Sequence, residues 1–287
     1  MAESKVLVVT GATGNQGGAV VKHLMNSSFT IKAVTRNLQS KAADRLRQQG
    51  VEVIYGDLDK PETLTPILKD VYAVYSVQNN WTSSIKTEIA QGKALADAAK
   101  AANVQHFVYS SVGGAERKTG IPHFDSKGEI ERHIIKIGLP YTFIRPAYFI
   151  ENFLATGSFA FVNWSLLSWA LKTNRKLQMV AVDDVGAFVS LVFSQPKRYL
   201  DQAVELAGDE KSFVEIKAIY TQVMGGKPHY LTLPSWLFAP MSKEMSTMFS
   251  WFKKEGFRAD IPTIRAELPQ LKGLQQALAE IKRLADR

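Results

Sequence analysis

The sequence of 287 residues contains no cysteine. This absence excludes disulfide bonds, thiolate metal sites and cysteine nucleophiles, and it is compatible with the reducing cytoplasm, where we expect the protein. There is also no apolar run of about 18 residues, so no membrane-spanning helix is predicted. The segment Met1–Lys5 lacks the apolar stretch of a secretory signal, and we therefore expect no leader peptide.

Blocks of like charge are missing as well. The formal net charge is +8, but the 35 lysines and arginines are spread along the chain. Such a distribution is typical of a solvated surface, so no direct contact with nucleic acid or a membrane is predicted. The five histidines show no metal-ligand spacing, and no G-x-S-x-G turn of a serine hydrolase is present. With 46% hydrophobic and 22% charged residues, the composition is that of a soluble globular protein.

Three glycines follow the first apolar run of the chain. Val6–Val9 is predicted to be a buried parallel strand, and a helix is expected over residues 16–25. Gly11 allows a tight turn, Gly14 lets the backbone approach a pyrophosphate, and Gly17 lets the helix pack close to the strand. The helix N-terminus offers unpaired N–H groups to phosphates. This G-x-x-G-x-x-G segment therefore predicts a dinucleotide-binding turn.

A strand-then-helix rhythm continues through the first half of the chain. Further strands are predicted at residues 30–35, 51–55, 71–77, 106–111 and 141–145. Helices are predicted between them at residues 39–49, 61–69, 83–102 and 125–137. This order predicts an α/β fold with a doubly wound parallel sheet, whose binding crevice lies at the carboxyl ends of the strands.

The rhythm breaks after Ala147. The clearest later signals are a strand at about 178–182, a helix at 183–194, a capping box that opens a helix at Ser212, and the end of that helix before Gly225. The segment 228–270 mixes proline and aromatic residues with charges. We therefore predict a nucleotide-binding core over residues 1–150, and a smaller irregular lobe over residues 151–287 that is interleaved with the core and covers the crevice.

The residue after the second predicted strand indicates which nucleotide is bound. An NAD site has a carboxylate about twenty residues past the glycines, where it accepts the ribose 2′-hydroxyl. Here Arg36 stands nineteen residues beyond Gly17, and the next carboxylate after the glycine turn is Asp44. A guanidinium can pair with a 2′-phosphate and stack on adenine, so NADP(H) is favoured over NAD(H). The alternative is an ordinary exposed arginine at a strand end.

Polar residues after the third and fourth predicted strands extend this site. Asp57 is placed to accept a hydrogen bond from adenine, and Gln78, Asn79 and Asn80 lie where the ribose and nicotinamide would pass, although turn residues are often polar for other reasons. The complete set of predicted cofactor-binding residues is Gly11, Thr13, Gly14, Asn15, Gln16, Gly17, Arg36, Lys41, Asp57, Leu58, Gln78, Asn79 and Lys127.

Five segments together resemble the NmrA-like family, an atypical branch of the short-chain dehydrogenase/reductase superfamily. They are Val8–Gly18, Thr35–Asn37, Gly56–Leu58, His123–Glu129 and Ile144–Asn152, and the resemblance spans roughly residues 4–250. It implies a Rossmann domain with a small C-terminal lobe. The family includes NADP-binding redox sensors that regulate transcription factors through protein contacts, and its relatives include quinone reductases and plant reductases of aromatic substrates.

The resemblance also raises the question of catalysis. Reductases of the superfamily carry Tyr-x-x-x-Lys on one helical face, where the lysine lowers the pKa of the proton-donating tyrosine. Lys127 is present and could hold the nicotinamide ribose, but position 123 is histidine. His123 is a candidate acid, a substrate contact or a structural residue. Tyr109 precedes the helix and does not have the required spacing, and Ser110 and Ser111 are either catalytic or turn residues.

Two functions follow from these residues. The first is an NADP(H)-binding redox sensor or regulator that lacks the catalytic tyrosine and acts on a protein partner. The second is an NADPH-dependent reductase of quinones or related aromatic carbonyls, because hydride can pass directly to a quinone. An aromatic run could form the wall of a site for such a flat substrate or could simply pack the lobe; it consists of Tyr148, Phe149, Phe153, Phe159, Phe161, Trp164 and Trp169.

Overall fold

A seven-stranded parallel sheet organises the computed structural model, which describes residues 5–79, 83–172, 175–240 and 242–286. The strands are β1 Val6–Val9, β2 Thr30–Thr35, β3 Glu52–Tyr55, β4 Ala73–Ser76, β5 His106–Ser110, β6 Tyr141–Pro146, β7 Tyr148–Phe149, β8 Lys176–Val180, β9 Gln202–Leu206 and β10 Asp209–Ser212. The central sheet has the order β3-β2-β1-β4-β5-β6-β9. The strand order reverses between β1 and β4, so the predicted doubly wound fold is confirmed.

Helices cover both faces of this sheet and build the rest of the molecule. They are α1 Asn15–Leu24, α2 Lys41–Gln48, α3 Leu64–Ile67, α4 Ile85–Ala101, α5 Pro122–Lys136, α6 Gly157–Ala170, α7 Val182–Ser194, α8 Pro196–Tyr199, α9 Phe213–Met224, α10 Lys243–Lys254, α11 Ile261–Glu267 and α12 Leu274–Ala285. No helix among the described residues is both long enough and apolar enough to cross a membrane.

Side chains of the central strands alternate between two apolar layers. In β1, Leu7 and Val9 face the layer that contains α1 and α7, whereas Val8 faces the layer of α4 and α5. All three side chains are completely buried. Strands that are covered on both faces read as continuous apolar runs, which is why the first strand could be predicted from the sequence.

The helices α1 and α7 pack closely although they are distant in the chain. A Cβ added to Gly186 of α7 would lie 2.5 Å from backbone atoms of Ala19 in α1. The Lys22 ammonium donates to Asp183 of α7 at 2.6 Å. The pKa of the Asp183 carboxyl lies well below its ordinary value, chiefly because His23 donates a hydrogen bond to it. A glycine contact and a charged cluster therefore join the first helix of the core to a helix from beyond residue 150.

A second, three-stranded sheet with the order β10-β8-β7 lies in the C-terminal part of the chain. The predicted capping box is confirmed, because Ser212 accepts a hydrogen bond from the Glu215 N–H and the Glu215 carboxylate accepts one from the Ser212 N–H. As predicted, α9 ends before Gly225, which has φ +80°. The division of the chain at residue 150 stays a prediction.

Several features of this architecture differ from the sequence prediction; β7, β10, α6 and α12 were not predicted, and three further differences follow. Strand β9 was not predicted, and it forms the edge of the central sheet beside β6. The segment 228–270 is more regular than expected, since it contains α10 and α11. Helix α5 begins at Pro122 rather than at residue 125, because proline is well accommodated in the first helical turn. His123 therefore lies on the same helix as Lys127.

Candidate functional site

The glycine turn between β1 and α1 is shaped by contacts that leave no room for side chains. Gly11 has φ +61°, and its carbonyl oxygen accepts a hydrogen bond from the Gly14 N–H at 2.9 Å. A Cβ on Gly17 would lie 2.3 Å from that same oxygen. Thr13, Gly14 and Asn15 are exposed at the N-terminus of α1, which has no side-chain cap and no acidic residue in its first turn. The amides at this end of α1 are therefore accessible to an anionic ligand.

Side-chain hydrogen bonds fix this turn to the neighbouring strands. The Thr10 hydroxyl accepts a hydrogen bond from the Val77 N–H at 3.1 Å and donates to the Tyr75 carbonyl at 3.2 Å. The Ser110 hydroxyl donates to the carboxamide oxygen of Gln16 at 2.7 Å. Ser110 thus connects β5 to α1, which supports the structural interpretation of this serine. The carboxamide N–H groups of Gln16 are its remaining donors.

Arg36 lies at the carboxyl end of β2, as predicted, with 66% of its side chain exposed. Lys41, also exposed, is the first residue of α2. A carboxylate that the sequence analysis missed lies near Arg36: Asp59 Oδ2 is 3.9 Å from the guanidinium, and Asp59 Oδ1 accepts a hydrogen bond from Gln91 at 2.7 Å. The sequence analysis selected Asp57 from this segment but did not connect Asp59 with Arg36, because the two residues follow different strands.

Asp57 and Leu58 occupy a tight turn after β3. The Asp57 carboxylate accepts a hydrogen bond from the Asp59 N–H at 3.1 Å, and the Asp57 main chain is held by the Thr63 hydroxyl. Leu58 is partly buried and packs against the apolar layer of α4 and α5. One carboxylate oxygen of Asp57 thus has a hydrogen-bond partner within the turn, and Leu58 has a packing role. The contact of these two residues with adenine stays a prediction.

Two buried polar atoms that have no hydrogen-bond partner among the described residues follow β4 and β5 at their carboxyl ends. Gln78 is 5% exposed; its amide nitrogen donates to the Ser76 hydroxyl at 3.0 Å, but its Oε1 has no hydrogen-bond partner among the described residues. The buried Ser111 Oγ likewise has none within that part of the chain. The sheet pairs Ser76 with Tyr109, and Gln78 and Ser111 each follow their member of this pair by two residues. Asn79 is exposed beyond them, and Asn80 lies outside the described residues.

The predicted ribose-binding residue Lys127 forms an ion pair with a completely buried carboxylate. Lys127 Nζ donates to Glu88 Oε1 at 2.9 Å, and Glu88 Oε2 accepts a hydrogen bond from the Ser126 hydroxyl at 2.6 Å. Glu88 lies in the first turn of α4, whereas its two partners lie on α5. The sequence analysis missed Glu88, since 38 residues separate it from Ser126 and only the packing of α4 on α5 brings the two together.

His123 is paired with a carboxylate as well, but one in the C-terminal part of the chain. Its Nδ1 and its main-chain N–H both contact Oε1 of Glu244, which lies in the first turn of α10. The hydrogen bond from His123 holds the pKa of the Glu244 carboxyl below its ordinary value. His123 thus connects α5 to α10, and this contact favours the structural interpretation of the residue.

The ring centroid of Tyr109 lies 5.9 Å from Lys127 Nζ. Its pKa is raised well above the ordinary value, first by complete burial and then by the negative charges of Glu88 and Glu131. A catalytic tyrosine beside a lysine shows the opposite shift, because the ammonium stabilises the phenolate. The raised pKa of Tyr109 is the opposite of that shift.

Three of the seven residues of the predicted aromatic wall pack against one another in the protein interior. Phe153 lies 5.3 Å, between ring centroids, from both Tyr148 and Trp164, and all three are buried. The Tyr148 hydroxyl donates to Asn163 at 2.8 Å. Phe159, in contrast, is half exposed. Packing accounts for the three buried rings, and a contact between the remaining aromatic residues and a substrate stays a prediction.

The NmrA-like family model matches residues 3–275 of this chain. The chain belongs to the NmrA-like family. The NmrA-like family domain-containing oxidoreductase FrzB of Cladobotryum sp is 30% identical over 90% of this chain and 86% of its own length. The prediction of the family from its motifs is therefore confirmed.

Solved structures of low sequence identity share the fold of this NmrA-like protein. NmrA, a negative transcriptional regulator crystallised in complex with NADP, superposes with a TM-score of 0.80 at 18% identity, covering 99% of this chain and 97% of that one. The NADPH-dependent quinone oxidoreductase QOR2 of Escherichia coli, complexed with NADPH, superposes with a TM-score of 0.78 at 23% identity, covering 96% and 99%.

Proposed function

We propose that this NmrA-like protein binds NADP(H) at the carboxyl edge of its central sheet. The exposed glycine turn carries this proposal, because Gly17 admits no side chain and the uncapped N-terminus of α1 suits a pyrophosphate. The residues that would hold the nucleotide are Gly11, Thr13, Gly14, Asn15, Gln16 and Gly17 at the pyrophosphate, Arg36 and Lys41 at the 2′-phosphate, Asp57 and Leu58 at the adenine, and Gln78, Asn79 and Lys127 at the nicotinamide ribose.

The unpartnered atoms at the ends of β4 and β5 also fit this nucleotide. Gln78 Oε1 can accept and Ser111 Oγ can donate a hydrogen bond, and a ribose or a carboxamide supplies the complementary groups. A buried polar atom without a partner costs free energy, and a ligand that supplies one removes that cost. The relatives NmrA and QOR2, both crystallised with an NADP nucleotide, support the same assignment.

Titration with NADPH and NADH tests the cofactor. The wild-type protein is expected to bind NADPH more tightly than NADH. The Arg36→Ala variant is expected to have an affinity for NADPH about 10- to 100-fold lower, because it loses a hydrogen bond to a charged group, and an affinity for NADH that is nearly unchanged. Arg47→Ala is the matched control, because Arg47 is also an exposed arginine but lies in the last turn of α2, where it pairs with Asp44 at 2.8 Å. Equal affinities of the two nucleotides, or an unchanged preference in Arg36→Ala, would contradict the role of Arg36.

We further propose that the protein is a redox-sensing regulator, in which nucleotide occupancy changes contacts with a protein partner. Support comes from the residues that a reductase of this superfamily would use. No tyrosine occupies position 123, and the pKa of Tyr109 is raised. His123 is paired with Glu244 and joins the helix of Lys127 to α10. That connection offers a route by which a nucleotide at Lys127 can alter the position of the lobe.

The second candidate is an NADPH-dependent reductase of quinones or related aromatic carbonyls. It is favoured by the retention of Lys127 and by the similarity to QOR2. When bound, NADPH would supply the hydride, and the protein would contribute orientation and exclusion of water. Stopped-flow and steady-state oxidation of NADPH against a panel of quinones separates the two functions. Turnover would favour the reductase, and no turnover above background with any acceptor would exclude quinone reduction.

A further inference from the structure

The carboxylate of Glu88 is completely buried, and both of its hydrogen-bonding partners lie on α5. One oxygen accepts the hydrogen bond from Lys127, and the other accepts the one from Ser126. An ionised carboxylate is removed from water only when charged or hydrogen-bonding partners replace the solvent. Glu88 therefore fixes the position of the Lys127 ammonium at the end of its flexible four-carbon side chain.

The ammonium of Lys127 has donors for which the described part of the chain provides no acceptor. An ammonium group has three N–H donors, and among the described residues Glu88 is the only acceptor for Lys127 Nζ. The Lys127 side chain is 13% exposed. Neither Gln78 Oε1 nor Ser111 Oγ lies within hydrogen-bonding distance of Nζ, and both lack partners in the described residues. Two N–H donors of the Lys127 ammonium therefore have no acceptor within the described part of the chain, whereas most buried polar groups in proteins have a partner.

We propose that Glu88 is a positioning residue, which directs the two remaining N–H donors of Lys127 at the hydroxyl groups of the nicotinamide ribose; this inference rests on the proposed binding of NADP(H). The number of donors matches, since a ribose carries two free hydroxyls and Glu88 uses only one donor. Glu88 makes no contact with the nucleotide in this arrangement. Its whole effect on binding passes through Lys127.

Two ligands distinguish this role from a general loss of structure. NADPH contains the nicotinamide ribose, whereas adenosine 2′,5′-bisphosphate contains the adenosine and the 2′-phosphate but no second ribose. Isothermal titration of Glu88→Gln is expected to show an affinity for NADPH about tenfold weaker than wild type, as for a disrupted charge-assisted hydrogen bond, and an affinity for the bisphosphate within about twofold of wild type. Glu129→Gln is the matched control, because Glu129 is an α5 carboxylate that pairs with Lys93 at 2.6 Å.

The outcomes separate this inference from the proposed function. A wild-type protein that binds neither ligand would overturn both. A wild-type protein that binds both ligands, together with a Glu88→Gln variant that binds NADPH equally well, would overturn the positioning role alone. Equal losses for the two ligands would also overturn it, since damage to the fold affects both ends of the nucleotide.

A double-mutant cycle tests whether Glu88 acts through Lys127. In a Lys127→Met background, Glu88→Gln is expected to cause no further loss of NADPH affinity, because the group that it positions is already gone. The double variant also contains no unpaired buried charge, so it provides a folded reference if a single variant folds poorly. A further loss of about tenfold in that background would show that Glu88 acts independently of Lys127, and would refute the proposal.

Discussion

Replacing Gly17 by alanine is expected to destabilise the protein through a single added methyl group. The Cβ would lie 2.3 Å from the Gly11 carbonyl oxygen, 2.4 Å from the Gly11 carbonyl carbon and 2.7 Å from the Thr10 oxygen. All three are backbone atoms of a turn that is fixed to β4 and β5. Either α1 or this turn must therefore move by about 1 Å to restore ordinary van der Waals distances.

The size of the effect follows from two opposing contributions. Overpacking of this kind costs about 1–3 kcal/mol, and we expect the upper end because no flexible side chain can yield. Alanine within a helix recovers about 1 kcal/mol relative to glycine. The net loss is therefore about 2 kcal/mol in the free energy of unfolding, which corresponds to a decrease of about 4–8 °C in the melting temperature for a chain of about this size.

Gly18 provides the matched control for this prediction. It is the next residue of α1, but a Cβ there would lie 3.4 Å from the Ala12 oxygen, which is an ordinary contact. Gly18→Ala should consequently be neutral or raise the melting temperature by about 2 °C through helix propensity alone. Differential scanning calorimetry of the two variants is sufficient. Equal melting temperatures for Gly17→Ala and Gly18→Ala would refute the close helix–turn contact as the reason for glycine at position 17.

Three further predictions concern contacts between helices. Lys127→Met should lower the free energy of unfolding by about 3 kcal/mol, because it leaves Glu88 buried without its countercharge. Adding Glu88→Gln should restore most of this stability, as measured by urea titration. A double variant as unstable as the single one would contradict the ion pair. Glu244→Gln should cost about 1 kcal/mol at neutral pH. Since the hydrogen bond from His123 lowers the pKa of Glu244 below its ordinary value of 4.5, that difference from wild type should shrink as the pH falls below 4.5, and a difference that grows on acidification would oppose this reasoning. Gly186→Ala should destabilise the protein by about 2 kcal/mol, since its Cβ would meet the backbone of α1 at 2.5 Å; an unchanged melting temperature would show that α7 can move away freely.

Most of the central sheet could be predicted because its strands are buried on both faces. Val6–Val9 is a continuous apolar run of this kind, and each run in the first half is bounded by turn residues. Strand β9 was not predicted, because it lacks such a continuous apolar run. Gln202–Leu206 pairs with only one neighbour, β6, and its first residues are exposed, so nothing selects for an apolar run there. The other edge strand, β3, was predicted nevertheless, because it contains the apolar run Val53–Tyr55 shortly after Gly50 and Val51.

Residues of the candidate site could be predicted where they lie close together in the sequence, and could not where they are distant. Local geometry imposes the glycine turn, and it could be predicted because the required residues lie within a few positions of one another. The carboxylates opposite the predicted basic side chains could not be predicted. Glu88 is 39 residues from Lys127, and Glu244 is 121 residues from His123. Helix packing sets these pairs, and no spacing rule within one element reports them.

The late position of α7 in the chain has a consequence for biosynthesis. Asp183 of α7 lies 161 residues beyond its partner Lys22 of α1. At about 5–20 residues per second, a ribosome needs roughly 10–30 s to synthesise that interval. Throughout this time the nascent glycine turn and its helix are complete in sequence, but the helix that covers α1 does not yet exist. The first element of the proposed nucleotide site is therefore synthesised well before the helix that covers α1.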